Sequence, residues 1–221
     1  MLKREKCEEN PALEREKLCL DFVNTVDWRN SNTRKKEMLN DFSAIISWSK
    51  QIGILEDKTA QILFKKALQQ SNKVEQVYEK TIELRELLYG IFSSMATTGQ
   101  IPSHDLSIFN KYLADSMGKS CCLTPSDNGF AWSFCSGTDS MDLFLDPIIK
   151  SAADLLVSPE LKRVKQCADD ACGWLFMDKS RNNSRRWCSM KDCGNRAKAH
   201  RHYLRKCQEK NKKTGDDTPY L

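Results

Sequence analysis

No stretch of this 221-residue chain approaches the roughly 20 consecutive apolar residues that a helix needs to cross a bilayer. The N-terminus, MLKREKCEENPALEREK, is charged and holds no apolar run, which excludes a secretory signal there and predicts a cytoplasmic protein. Also missing are a glycine-rich phosphate loop, a nucleophile–base pair and paired carboxylates at a recognisable spacing. The expectation is therefore a protein that is not an enzyme. No internal repeat is present, which argues against a solenoid. Apolar residues nevertheless make up 40% of the chain, enough for most of it to fold.

Cysteine, by contrast, is plentiful, with ten residues. In a reducing compartment they are read as thiols or metal ligands rather than disulfides. Cys167, Cys172, Cys188 and Cys193 follow C-x4-C, fifteen residues, C-x4-C. Two close pairs joined by a short loop bring four thiolates around one tetrahedral zinc. A site closed by four sulfurs leaves no position for a reacting water, so the expected zinc is structural, one per chain. An iron–sulfur cluster is the alternative for the same ligands, and His200 or His202 could join the site. Cys121 and Cys122 are adjacent, and Cys7, Cys19, Cys135 and Cys207 are isolated; all six are read as packing or surface residues.

Charge is divided along the chain. Residues 161–213 carry a formal +11, residues 1–160 a formal −4, and the whole chain +5. Such asymmetry points to a polyanion partner at the basic end. Arg181, Arg185 and Arg186 lie between the cysteine pairs. Arg196, Lys198, Arg201, Arg205 and Lys206 lie on or near a helix that follows them, RAKAHRHYLRK, and Lys198, Arg201 and Arg205 share one face of it. Guanidinium groups bridge phosphates or read guanine in the major groove. A solvated charged helix is the bland reading of the same residues. Asp178, Asn182 and Asn195 are candidates for a buried polar network instead.

Upstream, the periodicity is helical. Leu18 to Val26 predicts a short helix and Trp28 to Lys36 a loop. Further helices are expected from Glu37, Asp57, about Lys73 to Thr97, His104, and Asp139 to Leu156 with Pro147 in or near its first turn. Around Asp127-Asn128-Gly129 the pattern alternates and predicts a β-hairpin, 121–125 with 129–135. In the cysteine-rich segment, Trp174 to Phe176 and Trp187 are expected in two short strands joined by DKSRNNSRR. The fold class is thus mainly α: a multihelical domain over 1–160 with one small β-hairpin, a zinc-ribbon or treble-clef-like four-cysteine finger over 161–213 ending in a helix, and a disordered tail over 214–221. Asp21, Asn24, Thr25 and Trp28, with Arg85 as an anion partner, could line a small-molecule pocket; capping and packing is the plainer account.

The run F-x-D-x-S-R-N-x-S-R-R-W-C-S-M-x-x-C-G-N-R, from Phe176 to Arg196, resembles the CGNR zinc-finger family, whose tetrad stands here at Cys193, Gly194, Asn195 and Arg196. LCLDFVNTV, ELRELLYGIF and SAADLLVSP resemble the mainly helical ABATE domain that accompanies that finger. The resemblance implies a stress-responsive transcription regulator, with the four cysteines as zinc ligands and the finger as a nucleic-acid binder. DNA is the expected partner. An RNA-binding protein and a zinc-dependent protein-interaction module remain open, as does a ligand of the helical domain. One finger makes few contacts, which makes a homodimer an expectation.

Overall fold

The computed structural model describes residues 18–126, 129–134 and 140–214. Helix α1 (Leu18–Val23) is short and almost wholly buried, with Cys19, Leu20, Phe22 and Val23 in the core. Strands β1 (Val26–Asp27) and β2 (Lys36–Glu37) pair antiparallel, Val26 with Glu37 and Asp27 with Lys36. The loop expected over 28–36 is therefore held closed at its base. Helix α2 (Phe42–Gln51) begins later than the periodicity suggested. Asp41 is extended and its carboxylate accepts the Ala44 N–H at 2.7 Å, so the cap fixes the start. Glu37, left outside the helix, is free to pair elsewhere.

Helix α3 (Asp57–Gln69) packs on α2, and α4 (Ser71–Thr98) is the long spine of the domain. Its buried positions, Val77, Thr81, Leu84, Arg85, Leu88, Ile91 and Phe92, recur at three- and four-residue steps along one face. Gly99 ends it in the left-handed region at φ +72°, donating its N–H to Met95 O at 3.1 Å. Helix α5 (Ser103–Ser120) leads into the predicted hairpin, β3 (Cys121–Ser126) with β4 (Gly129–Phe134), registered from Cys121–Phe134 to Ser126–Gly129. Cys135 and the Asp127-Asn128 turn lie outside the described residues. Helix α6 (Leu145–Val157) starts at Leu145 rather than Asp139, with Pro147 in its first turn, where its missing N–H costs nothing. It packs against α1 and α5 and buries Ile148, Ile149, Ala152 and Leu155.

A 3-10 turn (Pro159–Arg163) delivers the chain to the finger. Here the strand expectation holds for Leu175 and Phe176 but fails for Trp187. The finger's hairpin is β5 (Val164–Gln166) with β6 (Leu175–Met177), so the first cysteine pair sits in the turn between the strands. Trp187 is in no strand. The 178–187 segment is instead wound around the buried carboxylate of Asp178, which takes up N–H groups that a strand would have paired. The last helix, α7 (Asn195–Thr214), extends into the region expected to be tail; residues 1–17 and 215–221 lie outside the described residues.

The hydrophobic core does not stop at the finger. Val164 and Leu175, from β5 and β6, belong to the same cluster as Phe22, Leu88, Phe92 and Ile148. Strand β5 lies on α4, and β6 reaches α1. A second, small cluster holds Cys167, Cys172, Cys193 and Phe176, with Trp174, Trp187 and Cys188 against it.

Candidate zinc centre and nucleic-acid surface

The four sulfurs of Cys167, Cys172, Cys188 and Cys193 all lie within 4.8 Å of one another. Cys172 to Cys188 is 3.7 Å and Cys188 to Cys193 is 3.6 Å. A disulfide requires about 2.05 Å. A tetrahedron of sulfurs at about 2.3 Å from a central zinc has edges of about 3.8 Å. The donor set and its spacing thus fit zinc, and the histidines are not part of the cluster. Hydrogen bonds from Cys172 and Cys188 draw the Cys167 thiol pKa down, while sharing the cluster raises those of Cys172 and Cys188. A bound cation would hold all four as thiolates.

The chain shapes the site locally. Cys167 N–H donates to Trp174 O at 2.8 Å, closing the first knuckle across the hairpin end. Gly173 takes φ +71°, and a Cβ there would lie 3.0 Å from Cβ of Arg29 and 3.1 Å from Oδ1 of Asn30. Only glycine lets the knuckle approach the β1–β2 loop so closely. Ser189 accepts the Asp192 N–H at the start of the turn Met190–Gly194, which carries Cys193 into α7. Asp178 organises the connection between the pairs. Its carboxylate accepts the N–H groups of Ser180 at 2.9 Å and Arg185 at 2.8 Å, and the Lys165 ammonium at 2.7 Å. Burial alone would raise the Asp178 pKa; the ammonium and the N–H donors outweigh it and hold the group well below the carboxylate range. Asn182 and Asn195, expected as partners in a buried network, are exposed; Asn195 donates to Lys191 O at 3.0 Å.

Arg196 joins the zinc site to the helical domain. Its guanidinium donates to Cys193 Sγ at 3.0 Å and to Asp169 Oδ2 at 2.8 and 3.0 Å, and its carbon lies 4.2 Å from the centre of the Trp28 ring. A cation on a metal thiolate offsets part of the negative charge of a four-cysteine site and orients the ligand. Arg185 is also engaged: it donates to Trp187 O at 2.9 Å and to Cys188 O, and lies over Phe176. Arg186 lies over Trp187, and Arg181 is exposed. Lys198, Arg201, Arg205 and Lys206 are exposed on α7, and none forms an ion pair with a carboxylate among the described side chains. The helix carries eight Lys and Arg against one Glu.

The residues read as a pocket are brought together, but for other work. Arg85 is 3% exposed; it holds both oxygens of Glu37 at 2.6 and 2.7 Å, Glu86 at 3.0 Å and the Thr25 hydroxyl at 3.2 Å. Asn24 pairs with the main chain of Leu175: Nδ2 donates to its carbonyl at 2.8 Å and Oδ1 accepts its N–H at 3.0 Å. One side chain thereby extends the β5–β6 ladder into the helical domain. Trp28 takes φ +53°, unusual for a non-glycine residue, and its ring receives both Arg196 and Arg34. Asp21 is exposed. Arg29 was not foreseen: its N–H donates to Cys172 O at 3.1 Å, and its guanidinium reaches Val23 O, Glu86 and the Tyr89 ring. Asp169 was missed as well, although its place between Cys167 and Cys172 could have pointed to it.

Residues 163–206 match the CGNR zinc finger, and residues 16–159 match the ABATE family, described as a putative stress-induced transcription regulator. No curated protein matches the chain. Among the described residues no helix is long and apolar enough to cross a membrane. The ABATE match alone covers most of the chain, and the chain belongs to the ABATE family, with a CGNR zinc finger after the helical domain.

Proposed function

We propose that this protein is a transcription regulator that binds duplex DNA through α7 and the zinc-built base from which it projects, with one structural zinc per chain. The observation that carries the reading is the contrast in how basic residues are used. Arg85, Arg163, Arg185 and Arg196 are taken up by internal partners. Lys198, Arg201, Arg205 and Lys206 are exposed on a helix whose substantial contacts are confined to the turn carrying Cys193. A basic helix about one groove wide, held at its start and exposed at Lys198, Arg201, Arg205 and Lys206, suits insertion into a major groove or tracking of its phosphates. On this reading the protein binds rather than catalyses, and zinc fixes the helix in place.

Selection of the zinc-loaded full chain against a random duplex pool at about 0.15 M salt tests it, because weak phosphate attraction is screened there. An enriched motif that is lost in R201A or R205A is the expected result. Enrichment from an RNA pool alone, or binding to neither nucleic acid, overturns it. Symmetry of the motif would reveal a dimer.

A further inference from the structure

The β1–β2 loop carries Arg29, Arg34 and Lys35, Lys36 opens β2 opposite Asp27, and no acidic residue lies between Trp28 and Lys36. Arg29 is spent inside, on Glu86, Val23 O and Tyr89. Arg34, Lys35 and Lys36 are exposed, and none pairs with a carboxylate among the described residues. The rest of the helical domain is mildly acidic, so this loop is a local reversal of sign. It also belongs structurally to the finger. Arg29 N–H binds Cys172 O at 3.1 Å, Gly173 leaves room for nothing larger than hydrogen beneath Arg29 and Asn30, and Asn24 pairs with Leu175 just before the loop.

Trp28 marks where the loop meets the basic helix. The Arg196 guanidinium carbon lies 4.2 Å from its ring centre and that of Arg34 lies 5.1 Å from it. Arg196 stands in the first turn of α7. Arg34, followed directly in the chain by Lys35 and Lys36, is thus held beside the N-terminal end of the helix proposed to enter DNA. Helices that read a major groove present their N-terminal residues to the bases, and the phosphates of both strands flank them there.

Resting on the DNA-binding reading, we infer that the β1–β2 loop is a second phosphate-contacting element, in which Arg34, Lys35 and Lys36 of the helical domain grip the DNA backbone beside the start of α7. The surface is then shared between the two parts of the chain, and the seam that locks the loop to the zinc knuckle sets its register. Phosphate contacts of this kind add affinity and orientation without sequence information.

The test is the salt dependence of binding. The zinc-loaded full chain is titrated onto a fluorescently labelled duplex, of selected or random sequence, over a series of salt concentrations. Each phosphate contact contributes about −0.9 to the slope of log K against log salt, or about fivefold in affinity at 0.15 M. K35Q/K36Q is expected to reduce the slope by about 2, with zinc content and circular dichroism unchanged and the sequence preference intact. K35R/K36R is expected to retain the full slope. R34Q is measured separately, because Arg34 also lies over Trp28; its expected loss is about fivefold. An unchanged slope in K35Q/K36Q, with K198Q/R201Q/R205Q abolishing binding, overturns the loop's role and leaves the DNA reading standing. Absence of duplex binding by the unsubstituted protein at low salt overturns both.

Discussion

Arginine does opposite work in two regions of this molecule. At the seam between helical domain and finger, Arg29 and Arg85 are enclosed by carboxylates, a carbonyl, a hydroxyl and an aromatic ring. On α7, Arg201 and Arg205 are exposed, and Arg201 donates back to its own helix at Ala197 O. Composition alone makes the two sets look alike, since both are arginines among polar neighbours. What separates them is whether a carboxylate or carbonyl from a distant part of the chain arrives. Substitutions in the first set should therefore unfold or loosen the protein, and those in the second should leave it folded.

Zinc removal should give the largest effect. A finger with so few apolar residues depends on its metal for much of its folding free energy, on the order of 10 kcal/mol or more in isolated fingers. Because Val164 and Leu175 lie in the main core and Asn24 pairs with Leu175, the loss should not stay within the finger. In C193S, or after chelation, hydrogen exchange should rise throughout residues 163–206 and also over 18–37, while α2 and α3 stay protected. Exchange that rises in 163–206 with 18–37 unchanged would show the seam to be mere contact.

The pair Arg85–Glu37 comes next. E37L would leave a guanidinium that is 3% exposed without its main partner, at a cost of about 3 kcal/mol. The double variant R85M/E37L should recover much of that loss, which denaturant titration of the set would reveal. The same pair gives a pH dependence. Burial tends to raise the Glu37 pKa, but the bidentate bond from Arg85 prevails and lowers it. Its stabilisation is therefore complete above the ordinary glutamate value of about 4.3 and is lost as pH falls through the lower folded value. In E37L that part of the acid destabilisation should vanish.

Much of this was legible in the sequence because it is local. The four ligands announce themselves by spacing, the helices by period, the β3–β4 turn by Asn-Gly, and the family by one unbroken run of residues. The illegible parts are long-range. Asn24 and Leu175 are 151 residues apart, and Arg85 and Glu37 are 48 apart. The sequence marked Asn24, Thr25, Trp28 and Arg85 as polar groups beside an apolar segment. It could not tell that a finger strand would pair with Asn24 or that a carboxylate from β2 would hold Arg85. Likewise Asp178 was visible as a candidate anchor, but not that its hold on Ser180 and Arg185 would displace the expected strand at Trp187.

Arg196 stands between the two sets, partly exposed yet bonded to Cys193 and Asp169. Removing a group that bonds a ligand from outside the metal shell commonly weakens the metal by about 10–100-fold. R196Q is expected to fall in that range in competition with a chromophoric chelator, with R196K intermediate because a lysine cannot serve both partners in a fork. Zinc affinity equal to that of the unsubstituted protein would move Arg196 to the outward-facing set and make it a candidate phosphate contact.

The smallest structural effect is expected where the functional effect is greatest. R201A and R205A remove exposed side chains, so stability should change by no more than about 0.5 kcal/mol. Alanine is moreover a strong helix former, which offsets the lost arginine. Zinc content and thermal midpoint should match those of the unsubstituted protein while duplex binding falls, and the fall should shrink as salt rises, since counterion release drives part of it. A marked loss of thermal stability in either variant would show that α7 rests on a contact formed by these arginines. The division between enclosed and outward arginines would then not hold.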